Sequence, residues 1–272
     1  MRGSRIMVVS LAIILSGCAQ YRTIAPAALL EMGPERVLQQ VADRAGEIGN
    51  LHTNGTILLR SDRGAFSARG VLLLVKPDSI RLDISITLGG VVAQGVIAGG
   101  SVQIYMPTEQ MVMVGEIDEG SDSDYRSMSL DRTVILEMLL GPALALDWVD
   151  MAANTVQYDV SAEHAVIAID QADGTCLLLT VGPELDYRKS TRINREGEIF
   201  LEISYRNYRN YRGARLPQHV VLRYPRDQFE LEFEVVNRTV DPEYTTGDFV
   251  LDIPAGISRV PVSSFIPPVT QW

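Results

Sequence analysis

Phe66–Gly115 reads FSARGVLLLVKPDSIRLDISITLGGVVAQGVIAGGSVQIYMPTEQMVMVG. Apolar runs of strand length (Val71–Val75, Ile80–Ile86, Val91–Val92, Val96–Ile97, Val102–Ile104) are broken by Lys76-Pro77-Asp78, Leu88-Gly89-Gly90, Gly99-Gly100 and Pro107-Thr108. Ile80–Thr87 alternates apolar and polar residues at period two, which turns one side towards a core and the other towards water. Breaks this short leave room only for hairpin reversals, so the stretch predicts an antiparallel meander.

Sheet continues on both sides. Upstream, Thr56–Arg60 and a turn at Asp62-Arg63-Gly64 lead into the meander. Before them, Pro34–Ala45 has the spacing of an amphipathic helix, with Pro34 suited to its first turn and Val37, Leu38 and Val41 on one apolar face. Downstream, Glu116–Ser127 is acidic and serine-rich and lacks the ligand spacing of a calcium loop. Ser129 is placed to cap a second helix, Leu130–Leu140 (LDRTVILEMLL), which Gly141-Pro142 ends. Strands return at Thr155–Val160, Ala165–Asp170, Cys176–Val181, Leu185–Ile193, Ile199–Tyr205, Gln218–Tyr224 and Phe229–Val236, with a last one at Phe249–Ile253. No repeat or linker divides the chain. A folded part of about 245 residues is within the range of a single all-β domain. The expected boundaries are a leader at 1–17, a tether at 18–32, one β domain at 33–257 and an irregular Pro-rich tail at 258–272.

The N-terminus carries an address. Arg2 and Arg5 precede an apolar run, Ile6–Leu15, too short to anchor in a bilayer. Leu15-Ser16-Gly17-Cys18 then resembles the bacterial lipobox, in which the cysteine is lipidated and the peptide before it removed. The expectation is a lipoprotein anchored through Cys18. Ala19, in place of Asp, resembles the sorting signal for the outer membrane, with the domain facing the periplasm.

Composition excludes several partners. The chain carries 34 acidic and 24 basic residues, a formal charge of −10, and cleavage at Cys18 would remove two of the arginines. A surface that acidic repels nucleic acid. With Cys18 lipidated, Cys176 has no disulfide partner. His52, His164 and His219 lie far apart, and no nucleophile elbow, phosphate loop or dinucleotide motif is present. The sequence therefore implies no enzyme, no metal and no cofactor. One polar stretch is unusual: Tyr205–Gly213 repeats an aromatic-basic-amide unit among Arg188, Lys189, Arg192, Arg195, Arg215, Arg223 and Arg226. Tyr205, Tyr208, Arg209, Tyr211 and Arg212 are candidates for contact with anionic lipid headgroups. The alternative is a hairpin whose tyrosines pack inward and whose arginines are paired or solvated.

Together these features resemble the LolA/LolB-like superfamily of outer-membrane lipoproteins. The resemblance rests on the lipobox, the N-terminal helix, VKPDSIRLDI, the helix ending MLLGP, GARLPQHVVL and the closing FVLDIPAG, and is nearest to the DUF4292 branch. It implies a mainly β fold with a few helices: a strongly curved antiparallel sheet, an unclosed barrel, with a helical lid over an apolar cavity for acyl chains. It makes Leu88 a candidate membrane-insertion residue on a strand–strand loop. It also makes Lys76 the lid-latch candidate, a weaker one than the arginine of the soluble carrier because lysine lacks a planar fork. Leu73, Val75, Leu82, Ile84, Ile104, Ile135, Met138 and Leu139 are the expected cavity lining. The implied function is receipt of acylated lipoproteins or lipid, with a periplasmic LolA-like carrier as a partner. The alternative is a structural or regulatory envelope lipoprotein that binds a protein and encloses only a core.

Overall fold

The computed structural model describes residues 26–76, 79–86, 89–116, 132–141, 155–161, 163–171 and 174–261. Two helices open the fold, α1 (Pro26–Met32) and α2 (Pro34–Gly46). A meander follows: β1 (Asn50–Ser61), β2 (Gly64–Val75), β3 (Ser79–Ile86), β4 (Gly90–Ala98), β5 (Ser101–Met106) and β6 (Met111–Glu116). Helix α3 (Arg132–Leu140) separates it from β7 (Thr155–Val160), β8 (Ala165–Asp170), β9 (Cys176–Val181), β10 (Tyr187–Ile193) and β11 (Ile199–Arg206). A small hairpin, β12 (Arg209–Tyr211) and β13 (Ala214–Leu216), precedes β14 (His219–Tyr224), β15 (Phe229–Val240) and β16 (Ser258–Pro261).

All the described strands but the small hairpin join one curved 14-stranded sheet, ordered β16-β6-β5-β4-β3-β2-β1-β15-β14-β11-β10-β9-β8-β7. The order is linear, so the barrel stays open. Every described pairing is antiparallel except β16 on β6, which is parallel. β1 lies in the middle, paired with β2 on one side and β15 on the other. That second pairing joins the two halves of the chain. It is close enough to exclude a side chain at Gly55, where a Cβ would sit 2.2 Å from the Glu234 carbonyl oxygen beside a register shift.

Period-two alternation sorts each strand into a concave and a convex face. The concave side of the C-terminal half carries Ile167, Ile169, Leu177, Leu179, Leu201, Ile203, Val220 and Leu222, packed with Leu29 of α1, Val37, Leu38 and Val41 of α2, and Val134 and Met138 of α3. The N-terminal half and β15 form a second core from Leu51, Ile57, Leu72, Leu74, Ile80, Ile97 and Phe233, and this one receives Leu139 and Leu140 of the same helix. A third, smaller core lies on the convex face. There Phe249, Leu251, Ile253 and Ile257 cover Val96, Tyr105 and Val112.

Three expectations are corrected. The first part of the tether is outside the described residues, but its end is helical: α1 packs Leu29 inward, and the Tyr158 hydroxyl donates to its carbonyl at 2.6 Å. Phe249–Ile253 is not a strand. A 3-10 turn, Thr246–Phe249, is fixed by Asp248, whose carboxylate accepts from the Thr245 N–H (2.7 Å) and hydroxyl (2.9 Å), and an irregular strap follows. The last strand comes later, at Ser258–Pro261, inside the stretch expected to be an irregular tail.

Candidate functional site

The concave interior is built around α3. A helix apolar on all sides is stable only when enclosed, and α3 meets that condition as a wedge between the two inner cores, with Val134, Met138, Leu139 and Leu140 buried. Gly141 stops it: φ is +84°, and its N–H donates to the Glu137 carbonyl at 2.9 Å.

Glu137 is the exception in this helix. It is 1 % exposed, and its Oε2 accepts from Arg192 Nη2 of β10 at 2.5 Å. The Tyr205 hydroxyl donates to its backbone carbonyl at 3.2 Å. Removing either partner from such a pair leaves a buried charge uncompensated, so the pair fixes α3 to the wall of the C-terminal half. Beside it, Tyr187 is 2 % exposed. Burial pushes the Tyr187 and Tyr205 hydroxyls well above the ordinary tyrosine range, and the Glu137 charge pushes them further, so both stay protonated. Among the described residues, Glu137 Oε1 and Tyr187 Oη have no hydrogen-bond partner.

Next to this cluster is a cleft of about 20 Å³ at the seam of the helices and the small hairpin. Val41, Leu140 and Leu185 form its apolar wall, Asp186, Tyr208 and Arg215 its polar one, and Tyr187 stands between. The volume is enough for about one water molecule. The polar wall is tied together: Arg215 donates to both oxygens of Asp186 (2.8 and 2.6 Å) and to Glu184, while the Tyr208 hydroxyl donates to the Tyr187 carbonyl at 2.6 Å. Burial raises the Asp186 carboxyl, and Arg215 offsets this only in part. A further cation, Arg238, reaches under the hairpin, lies 5.7 Å over the Tyr211 ring and donates to Thr53 Oγ1 and the Pro217 carbonyl. Burial pulls its guanidinium down to about 10.

The expected lining is divided by strand parity. Met138 and Leu139 are buried, and Leu82, Ile84 and Ile135 pack against the second core. Ile104 shares a face with Val102, which packs there too. Leu73 and Val75 are the misplacements: β2 registers Leu72 and Leu74 inward, against Thr53 and Leu51, and turns Leu73 outward between His52 and Arg81. Lys76 lies at the end of β2, where its N–H donates to the Gly49 carbonyl. Its charge adds a little to the backbone N–H groups of Gly49 and Asn50 that lower the Asp241 carboxyl. The buried ion pair that grips a helix is Glu137–Arg192, and its signal in the sequence is the lone acid in VILEMLL. Leu88 and Cys18 are outside the described residues. Next to Leu88, Gly89, Gly90 and Val91 are exposed.

The tyrosines of the repeat turn their hydroxyls inward. Tyr205 is buried, and the hydroxyls of Tyr205, Tyr208 and Tyr211 are used internally, the last donating to Gln218 at 3.0 Å. Arg209 and Arg212 are exposed, with Arg212 3.6 Å from Asp241. The neighbouring basic residues are shared between two faces. Arg192 and Arg215 point into the seam. Lys189 and Arg223 belong to a convex ladder, Lys189–Glu202–Arg223–Glu230–Arg60–Glu232–His219.

Solved structures share this architecture. A DUF1329 family protein from Desulfovibrio piger aligns over 79 % of this chain and 96 % of its own, with a TM-score of 0.57 and 10 % identity. A LolA superfamily protein from Nitrosomonas europaea aligns over 79 % and 98 %, with a TM-score of 0.53 and 13 % identity. The fold is LolA-like. A domain described as an outer membrane lipoprotein-sorting protein, from Vibrio parahaemolyticus, matches over 78 % and 94 %, with a TM-score of 0.53 and 11 % identity. No protein-family model and no curated protein matches the sequence. At such identities the LolA-like likeness establishes the fold and leaves the function to be argued from the site.

Proposed function

We propose that this chain is an envelope lipoprotein, anchored in the outer membrane through Cys18, that takes acyl chains of lipid or lipoproteins into its concave interior and has no enzymatic role. The observation that carries the reading is α3. It is an apolar helix wedged between two apolar concave faces, held among the described residues by one buried ion pair, in a fold shared with a lipoprotein-sorting domain. Moving its apolar side chains aside would bare apolar wall on both sides. The described arrangement is then the closed one, and cargo replaces those side chains while the Glu137–Arg192 pair keeps the helix on the wall. Receipt from a LolA-like carrier and insertion through Leu88 belong to the same proposal.

The test is to isolate the full chain from membranes, exchange it into nanodiscs and identify what a photoreactive palmitoyl lipid labels. Labelling of α3 and of β3, reduced by Ile135→Gln or Leu82→Gln, is the expected result. A second reading draws on a different observation, the cleft of about 20 Å³: an interior already filled by its own helices suits a protein-binding lipoprotein. No interior labelling, together with recovery of one protein partner by cross-linking in cells, would establish that reading instead.

A further inference from the structure

The polar cluster behind α3 ties the helix to the wall, and its chemistry indicates which end of a ligand it would meet. Two of the buried polar atoms that lack a described partner lie here, one on the lid helix and one on the wall: Glu137 Oε1 and Tyr187 Oη. Orphaned polar groups in an apolar interior are costly and uncommon. Glu137 Oε1 belongs to the ion pair that holds the helix, while Tyr187 lies against the end of the same helix, its ring 3.0 Å from where a Cβ on Gly141 would sit, and lines the seam cleft with Val41, Leu140 and Leu185. An acyl chain entering at that seam would pass the apolar wall and leave its polar junction beside these two atoms.

Resting on the acyl-binding reading above, we infer that Glu137 and Tyr187 form a subsite for a neutral hydrogen-bond donor at the head of the acyl chain, an amide N–H or hydroxyl. A carboxylate oxygen only accepts, and a protonated phenol can both accept and donate, so the pair suits a head that supplies a donor and offers an acceptor. Charge selects further. Glu137 is paired with Arg192, and Asp186 and Glu184 share Arg215, so these two arginines are already committed to carboxylates. A free fatty-acid carboxylate would bring a second anion towards Glu137 without a proton to share. N-acylated chains are therefore preferred over free acids of equal length.

The experiment uses the full chain in nanodiscs, labelled with a diazirine-bearing palmitoyl amide and competed with unlabelled N-palmitoylglycine methyl ester or palmitate. The amide should compete at least about fivefold better than the acid, the worth of one hydrogen bond. Tyr187→Phe removes one orphan hydroxyl and no described hydrogen bond, so the variant should fold with an unchanged or higher Tm. It should lose about fivefold in amide competition, again one hydrogen bond, with palmitate unaffected. Glu137→Gln keeps an acceptor but removes the charge, and should narrow the discrimination against palmitate. Equal competition by the two ligands, or an amide preference untouched by Tyr187→Phe, would overturn the subsite and leave acyl binding intact. Failure of any acyl compound to label or compete would overturn both.

Discussion

Arg192 and Glu137 are a buried pair in which each charge depends on the other. Arg192→Ala is expected to cost about 3–5 kcal/mol, because it leaves the Glu137 carboxyl enclosed without its partner. Replacing both with Met should cost far less or raise stability, as apolar substitutes often do for buried ion pairs. Urea denaturation of the two variants measures the difference. The convex ladder behaves otherwise: a pair on the surface such as Arg223–Glu230 contributes about 0–1 kcal/mol. Burial works to raise the Glu230 and Glu232 carboxyls, but hydrogen bonds outweigh it and hold both below the usual glutamate range. Arg223 and Arg60 supply them to Glu230, and His219 and Arg60 to Glu232. A lowered carboxylate contributes stability that is present above its unfolded value of about 4.5 and lost as pH falls below it.

At the level of elements, the C-terminal strap is the part most exposed to acid. It is fixed by Asp248 within its 3-10 turn and by Arg81, which donates to the Asp248 carbonyl at 2.9 Å and to Asp83 at 3.1 Å. Asp241 fastens the end of β15 to the start of β1 through the N–H groups of Gly49 and Asn50. Both Asp241 and Asp248 lie below the ordinary aspartate value because of these backbone and turn hydrogen bonds. Their contribution is present above pH 3.8, the unfolded value, and lost as pH falls through the lower folded values. Pepsin should therefore clip the strap first on acidification, and Asp248→Asn should bring that cleavage to higher pH. The β1–β15 seam gives a second prediction at this scale. Gly55→Ala drives a methyl group into the Glu234 carbonyl, with an expected loss of about 1–3 kcal/mol by urea denaturation. The elements themselves were legible: Thr155–Val160, Ala165–Asp170 and Cys176–Val181 match the predicted strands residue for residue, because alternation and turn residues are local signals. Facing was less so. The run Val71–Val75 is apolar at every position, so nothing within it distinguishes Leu72 from Leu73. In β10 the register shifts between Tyr187 and Lys189, so Arg192 turns inward where an unbroken count from Tyr187 would turn it outward.

For the whole molecule, the open, curved sheet followed from many short strands with few helices, whereas the closure of its interior depended on contacts no local pattern records. The Tyr/Arg repeat illustrates this. Along the chain it is a basic aromatic patch; folded, its tyrosines supply hydroxyls to the interior, its own arginines stay exposed, and the neighbouring Arg192, Arg215 and Arg223 divide between seam and ladder. Anchoring is the prediction at this scale. Cys18→Ser should release the chain from the membrane fraction and abolish incorporation of labelled palmitate, while leaving the thermal transition of the domain unchanged.

The position of β1 has a consequence for biogenesis. Its second neighbour, β15, is contributed by residues about 185 positions later, as the Thr53–Arg238 contact measures. Until those residues emerge, the central strand of the finished sheet is an unpaired edge, with a long apolar face available to any other chain. Closing so long a loop is slow, and the half-built meander is aggregation-prone while it waits. The nascent protein should therefore depend on holding factors during export, and truncations that stop before Phe229 should accumulate as insoluble material rather than as a stable half-domain.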